Sequence, residues 1–201
     1  MSQRDLWNER YQQKGHVLGA APNQFVAERL AGLEPCLVLD LGSGQGRNAI
    51  WLARQGHDVT AVDVSDVATR QAAELAEGAG IALQFIAEDL TTWEPPAESV
   101  ELVLLAYLQA PEASRKAVHS KAAGALAPGG HVFIVAHRRG NLSEGVGGPP
   151  MVEVLFDEEM LAADFAGFEV VENTRVLRHV EQGDIVGDAV DIIFFARKPH
   201  S

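Results

Sequence analysis

Residues 36–47, CLVLDLGSGQGR, constrain the fold of this chain more than any other stretch. A continuous apolar run ends at Leu41, glycines follow at 42, 44 and 46, and a helical run begins at Arg47. The apolar run shows no alternation, as expected of a central strand buried on both faces. Glycines at this spacing let the backbone turn tightly and approach a ligand without Cβ clashes. The following helix would aim its unpaired N–H groups at that ligand. The chain is therefore expected to be α/β, with an open, mostly parallel sheet covered by helices.

The rest of the sequence keeps that alternation. Helices are expected at 4–14, at 23–32 with Asn23 as cap, from Ser65 to about Gly78, and in PEASRKAVHSKAAGALA with Pro111 in its first turn. A short one is expected in FDEEMLAADFAG. Strands are expected at 36–41, 58–64, 81–89 and 100–108, then in HVFIVAH after a tight Pro128-Gly129-Gly130 turn. Residues 138–152 read as a long loop. FEVVENTRVLRHV and IVGDAVDIIFFARK flank Gln182-Gly183-Asp184, the pattern of an antiparallel hairpin.

Composition narrows the function classes. With 201 residues, 47% hydrophobic and 22% charged, the chain fits one globular domain. No apolar stretch approaches the ~18 residues of a membrane span. The N-terminus, MSQRDLWNERYQQK, lacks the apolar core of a signal peptide. A net charge of −12 repels nucleic acid phosphates and anionic lipids. The single cysteine, Cys36, sits in an apolar run and reads as an inert core thiol. The histidines show no metal-ligand spacing, so no metal is expected. These features suit a cytoplasmic enzyme of small molecules, with neither nucleic acid nor membrane as partner.

Three acids stand at successive strand ends: Asp40, Asp63 and Asp89. Ligands of open α/β sheets bind outside those ends. A dinucleotide would bring its pyrophosphate to the glycine turn, where Asp40 would repel it. S-adenosylmethionine carries an ammonium and a sulfonium but no phosphate, so Asp40 suits it. Asp63 can accept both ribose hydroxyls, and Asp89 the exocyclic amine of adenine. The bland alternatives are a helix-capping acid at 63 and a loop-opening acid at 89. Arg47, in the first turn of a helix, stands where the macrodipole disfavours a cation. An anionic partner or a local surface ion pair accounts for it. Trp7 and Tyr11, at i and i+4, either pack on the sheet edge or cover the cofactor as a lid.

VLDLGSGQGRNAIWLA, TAVDVS, FIAEDL, VELVLLAYL and LAPGGHVFIV together resemble the successive motifs of class I S-adenosylmethionine-dependent methyltransferases. GRN after the glycines, the WNERY segment and the closing FFARKP are similar to the small bacterial tellurite-resistance (TehB-like) type. The resemblance implies a Rossmann-like, doubly wound seven-stranded sheet, mostly parallel, with an antiparallel strand in the C-terminal hairpin. It implies a single domain over 1–201, with residues 1–22 as a lid segment and 23–201 as the core. It puts cofactor contacts on Asp40, Gly42, Gly44, Gly46, Asp63, Asp89 and the Ala106–Tyr107 backbone. Ser43, Arg47, Val64 and Leu90 belong to the same stretches.

The fourth strand ends in AYLQAP rather than the Asn-Pro-Pro-aromatic motif of amine-directed relatives. The expected acceptor is therefore a small molecule, a thiol or a chalcogen oxyanion, methylated by direct in-line transfer. Basic residues of the last hairpin face the acceptor in the tellurite-resistance relatives, and this chain offers Arg178-His179 there. Tyr107, His137 and Arg138 are the candidate catalytic residues. His137-Arg138-Arg139 forms a basic rim able to hold one carboxylate or oxyanion, beneath a loop at 140–150 free to close. An NAD-dependent oxidoreductase and a non-catalytic S-adenosylmethionine-binding module are the rival readings.

Overall fold

A computed structural model describes residues 2–14 and 21–200. Its strands are β1 (Leu37–Leu41), β2 (Asp58–Asp63), β3 (Gln84–Ala87), β4 (Val100–Ala106), β5 (Leu126–His137), β6 (Glu169–Gln182) and β7 (Ile185–Arg197). They form one sheet in the order β3-β2-β1-β4-β5-β7-β6. The first five run parallel, while β7 is antiparallel to both its neighbours. The strand order reverses between β1 and β4, which opens a crevice at their carboxyl ends. This is the expected doubly wound sheet with its antiparallel C-terminal strand.

Helices α1 (Gln3–Lys14), α2 (Gln24–Leu30), α3 (Arg47–Arg54), α4 (Asp66–Gly78), α5 (Glu112–Ala125), α6 (Asn141–Glu144) and α7 (Glu158–Asp164) surround it. The period-two alternation of strand side chains divides the core into two layers. Leu39, Leu41, Val103, Leu105, Ile134 and Phe194 pack with Val118 of α5 and Leu161 of α7. Val38, Leu104, Val135 and Ile193 pack on the other face with Phe25 of α2 and Leu52 of α3. Asp40 follows Val38 by two residues, His137 follows Val135, and Asp191 precedes Ile193. All three therefore point to the α2–α3 face.

Several local expectations shift. β3 is shorter than 81–89, and Asp89 lies in the turn after it, where its backbone carbonyl accepts from Thr92 and Trp93. Pro111 takes the N-cap position of α5 rather than its first turn. Pro128–Gly130 does not form a separate turn: β5 already starts at Leu126, and its pairing with β4 jumps from Leu126 to His131. The 138–152 segment is not a plain loop, since it holds α6 and opens a short 3-10 turn at Val152–Val154. Part of the proposed lid, residues 15–20, lies outside the described residues.

Candidate active site

The glycine turn is built as the spacing demands. Gly42, Gly44 and Gly46 all take left-handed backbone angles, with φ of 73°, 54° and 75°. Space is as restrictive as conformation at Gly44, where a Cβ would lie 2.7 Å from the Tyr11 hydroxyl. At Gly46 it would meet Ala72 and Phe85 at 3.0 and 3.1 Å.

The amides of the turn itself do not wait for a ligand. Gly42 N and Ser43 N both donate to the Val62 carbonyl, at 2.8 and 3.1 Å. Gly44 N donates to Asp63 Oδ2 at 2.8 Å. Gly46 N donates to the Ser43 carbonyl at 3.0 Å. A phosphate cradle needs such amides pointing at the anion. Here three of the four bind the turn after β1 to β2, and the fourth closes the turn on itself.

Asp40 supplies the opposite polarity. It is 1% exposed, and neither carboxylate oxygen has a hydrogen-bond partner. Burial and the nearby charge of Asp63 push its carboxyl up to about 7, against the opposing pull of Arg47. A buried carboxylate without donors is costly unless a cationic or protic group meets it. A ligand ammonium fits this position and a phosphate does not.

Asp63 ends β2 beside it. Its Oδ1 accepts from Ser65 N and its Oδ2 from Gly44 N, both at 2.8 Å. Burial raises its carboxyl above the ordinary range, while those two bonds oppose the shift. Each oxygen keeps a lone pair for a further donor. Val64 follows half-buried, and Ser65 caps α4 through its hydroxyl. Asp89 is half-buried at the next strand end. Its Oδ1 accepts from both the amide and the hydroxyl of Thr91, which hold its carboxyl below the usual range. Leu90 is buried behind it.

The N-terminal helix lies over this end of the sheet. Arg4 and Asn8 of α1 bond Asp66 of α4, and the Ser65 hydroxyl donates to Asn8. Trp7 and Tyr11 stack at 5.8 Å, and Tyr11 is buried against Val67 and Ala68. The pair packs against α4 rather than on the sheet edge, and the Tyr11 hydroxyl reaches Gly44.

A second polar cluster adjoins the first. Ala106 is half-buried at the end of β4, and Tyr107 follows with φ of 58°, an uncommon backbone for a side chain of this size. The Tyr107 hydroxyl donates to Asp191 Oδ2 at 2.6 Å and accepts from Arg178 Nε at 2.8 Å and Asn23 Nδ2 at 3.3 Å. Arg178 Nε also donates to Asp191 Oδ2 at 2.7 Å. His137 Nδ1 lies 2.9 Å from Asp191 Oδ1, and its ring stands 5.1 Å from that of Tyr107. Asp191 is fully buried. Burial alone would raise its carboxyl, but His137, Arg178 and Tyr107 together hold it below the usual range.

Strand register explains this convergence. His137 of β5 is the direct partner of Asp191, and Arg178 lies on β6 two residues beyond Val176, the partner of Asp191. Direct and diagonal neighbours across antiparallel strands share one face. Arg47 stands near by, its proton affinity lowered first by burial and then by the charge of Arg178.

The basic rim read from His137-Arg138-Arg139 is divided. His137 enters the buried cluster, whereas Arg138 pairs with Glu158 at 2.9 Å and Arg139 with Asp157 at 2.9 Å. Both arginines serve the start of α7. Asp191 carried no sequence signal, because it belongs to no motif, and Asn23 was legible only as the cap of α2. The i, i+2 spacing to Ile193 on a hairpin strand is the one clue to where Asp191 points. Cys36 lies at the opposite end of β1, with Sγ 3.4 Å from His57 Nδ1. Burial pushes its thiol up, as suits an inert side chain.

Comparison with known proteins gives this site a context. Residues 38–130 match the methyltransferase domain family. A probable S-adenosyl-L-methionine-dependent methyltransferase, TehB of Haemophilus influenzae, is 58% identical over 31 residues, 15% of this chain and 11% of that protein. Hemagglutinin 1 of Eikenella corrodens is 38% identical over 65 residues, 32% of this chain and 22% of that protein. The chain thus aligns with less than a quarter of the length of these curated relatives. The crystal structure of Haemophilus influenzae TehB superposes with a TM-score of 0.74 at 21% identity, covering 96% of this chain and 67% of that one. A structure from work on the conversion of a disulfide bond into a thioacetal group during echinomycin biosynthesis superposes with a TM-score of 0.76 at 22% identity. It covers 100% of this chain and 94% of that one. The matched segment spans the glycine turn, Asp40, Asp63 and Asp89, and the superposed structures share the fold of this chain.

Proposed function

We propose that the protein transfers the methyl group of S-adenosylmethionine to a small-molecule acceptor by direct in-line displacement. The observation that carries this reading is Asp40, buried with both oxygens partnerless beside a turn whose amides are already engaged. The site seeks a cation and offers little to a pyrophosphate, which disfavours the NAD-dependent alternative.

In this reading Asp40 meets the ammonium of the cofactor and Asp63 its ribose hydroxyls. Asp89 accepts from the adenine amine, and the Gly42–Gly46 turn with Ser43, Val64, Leu90 and the Ala106–Tyr107 backbone shapes the rest. When bound, S-adenosylmethionine supplies an electrophilic methyl on a sulfonium whose departing sulfur needs no proton. The protein then acts chiefly by positioning and by excluding water. Trp7 and Tyr11 of α1 serve the second purpose. Tyr107, His137 and the side chains around them face the acceptor.

For the acceptor we propose a thiol or a chalcogen oxyanion. The work on disulfide conversion noted above makes sulfur the first class to test. A cytoplasmic location and the absence of nucleic acid or membrane partners belong to the same proposal. In support, no helix among the described residues is long and apolar enough to cross a membrane.

The test is thermal stabilisation and calorimetry. S-adenosylhomocysteine should raise the melting temperature, since a ligand bound only by the native state stabilises it. Equal stabilisation by NAD, or none by the adenosyl compound, would end this reading. A protein that binds but turns over no acceptor is instead a non-catalytic module.

A further inference from the structure

We propose that His137, oriented by Asp191, is the general base that takes the proton of a protic methyl acceptor, so that the acceptor is a thiol rather than an oxyanion. This rests on the methyltransferase reading above and narrows its acceptor class. The inference begins from the pairing of two otherwise unserved atoms. His137 Nδ1 and Asp191 Oδ1 are buried and lie 2.9 Å apart, at ion-pair distance, and neither has a hydrogen-bond partner. Asp191 cannot turn away. Its other oxygen is held by the Tyr107 hydroxyl at 2.6 Å and by Arg178 Nε at 2.7 Å.

A carboxylate at Nδ1 sets the imidazole tautomer. The proton sits on Nδ1 and the lone pair on Nε2. A base oriented by a third group in this way is the arrangement shared by many nucleophile-activating sites. The Nε2 edge lies beside Gly148, whose left-handed backbone passes where a Cβ would come within 3.0 Å of that nitrogen. Any larger residue there would crowd the ring. The side chain of His137 retains 12% of its surface.

The charges around the imidazole are Asp191 of β7, Arg178 of β6 and, further off through Tyr107, Arg47 of α3. Tyr107, just after β4, faces its ring. When the proton arrives, the imidazolium is adjacent to the Asp191 carboxylate, which offsets the repulsion of Arg178.

The step balances. The acceptor sulfur's lone pair forms the new bond to the methyl carbon. The old carbon–sulfur bond breaks with its pair left on the departing sulfur, which becomes a neutral thioether. The S–H proton passes to His137 Nε2 and later to water. A thiol is mostly protonated at neutral pH, with a pKa near ~8.5, so it gains from such a base. A tellurite or selenite lone pair attacks without losing a proton from the chalcogen and needs none.

Nitrogen-15 NMR of histidine-labelled protein reads the tautomer without any turnover. The expected wild-type result is a protonated Nδ1 and a bare Nε2, with Asp191→Asn shifting the tautomer ratio. With 2-mercaptoethanol and cysteine as acceptors, His137→Asn should lower kcat by about 100-fold or more near neutrality, recovering as pH approaches the thiol pKa. Its affinity for S-adenosylhomocysteine should stay within about twofold, since the proposed base acts only in the transition state. A wild-type Nε2–H tautomer, a kcat loss under about threefold, or turnover of tellurite but of no thiol would each overturn the proposal. If S-adenosylhomocysteine fails to bind the wild type, the cofactor reading falls instead, and the tautomer still decides whether the dyad exists.

Discussion

At the residue scale, Asp40 combines an electrostatic cost with a functional signal. Its carboxyl is pushed up to about 7, from about 3.9 in an unfolded chain. The folded state therefore holds this proton longer than the unfolded one. By linkage its contribution is lost as pH rises from about 4 to about 7, so the ionised group destabilises the fold above that window. Asp40→Asn should raise stability at about pH 8 by ~1–2 kcal/mol, or ~3–6 °C for a domain this size. The same substitution removes a charge-assisted contact worth ~1.5–3 kcal/mol and should weaken S-adenosylmethionine about tenfold or more. In the wild type, affinity should fall as pH drops below about 7, because binding to the ammonium requires the ionised acid. Differential scanning fluorimetry and calorimetry at about pH 6 and 8 check all three.

At the scale of elements, the 138–152 segment is better held than its glycines suggest. Asn141 of α6 reaches both ways. Its Nδ2 donates to the Gly147 carbonyl at 2.8 Å, and its Oδ1 accepts from Val190 N at 2.7 Å. The segment thereby anchors to β7 one residue from Asp191. Asn141→Ala leaves buried backbone groups unsatisfied and should cost about 1–3 kcal/mol. Hydrogen exchange at Val190 and proteolysis within 140–150 should both accelerate. Unchanged exchange at Val190 would show that the segment is held by other contacts. Composition marked these residues as loop, and the order that Asn141 imposes comes from a strand 49 residues away.

Across the whole molecule, α5 and α7 are locked together beneath the sheet. Asp164 accepts from Arg115 Nε at 2.7 Å and lies 2.8 Å from His119 Nδ1. Burial would raise the Asp164 carboxyl, but His119 and Arg115 hold it below the usual range. A depressed acid stabilises above its unfolded pKa and loses that stability as pH falls, so this clamp contributes at neutral pH and fails below about pH 4. Asp164→Ala strands a buried guanidinium and should cost about 3–5 kcal/mol, read as a fall in Tm of ~6–15 °C. The net charge of −12 acts at the same scale. Fluorescence anisotropy with a labelled oligonucleotide at about 50 mM salt should show no binding, because long-range attraction to a polyanion is absent.

Local chemistry written in consecutive residues was legible without a structure. The buried strand at β1, the glycine turn, Asn23 and Ser65 as caps, the three strand-end acids and the final hairpin all rest on periodicity, backbone freedom or short-range hydrogen bonding. Those are properties of neighbouring residues, so the sequence carries them. The fate of the turn's amides depended on where β2 came to lie, the pairing of His137 on the register of β7, and that of Arg138 on the start of α7. Asp191 could not be singled out before folding, since an acid in an apolar strand gains meaning only from what faces it. Strand register brings His137, Arg178 and Asp191 from three strands onto one face, and Tyr107 joins them from the turn after β4. That juxtaposition of groups up to 84 residues apart is a product of tertiary structure alone.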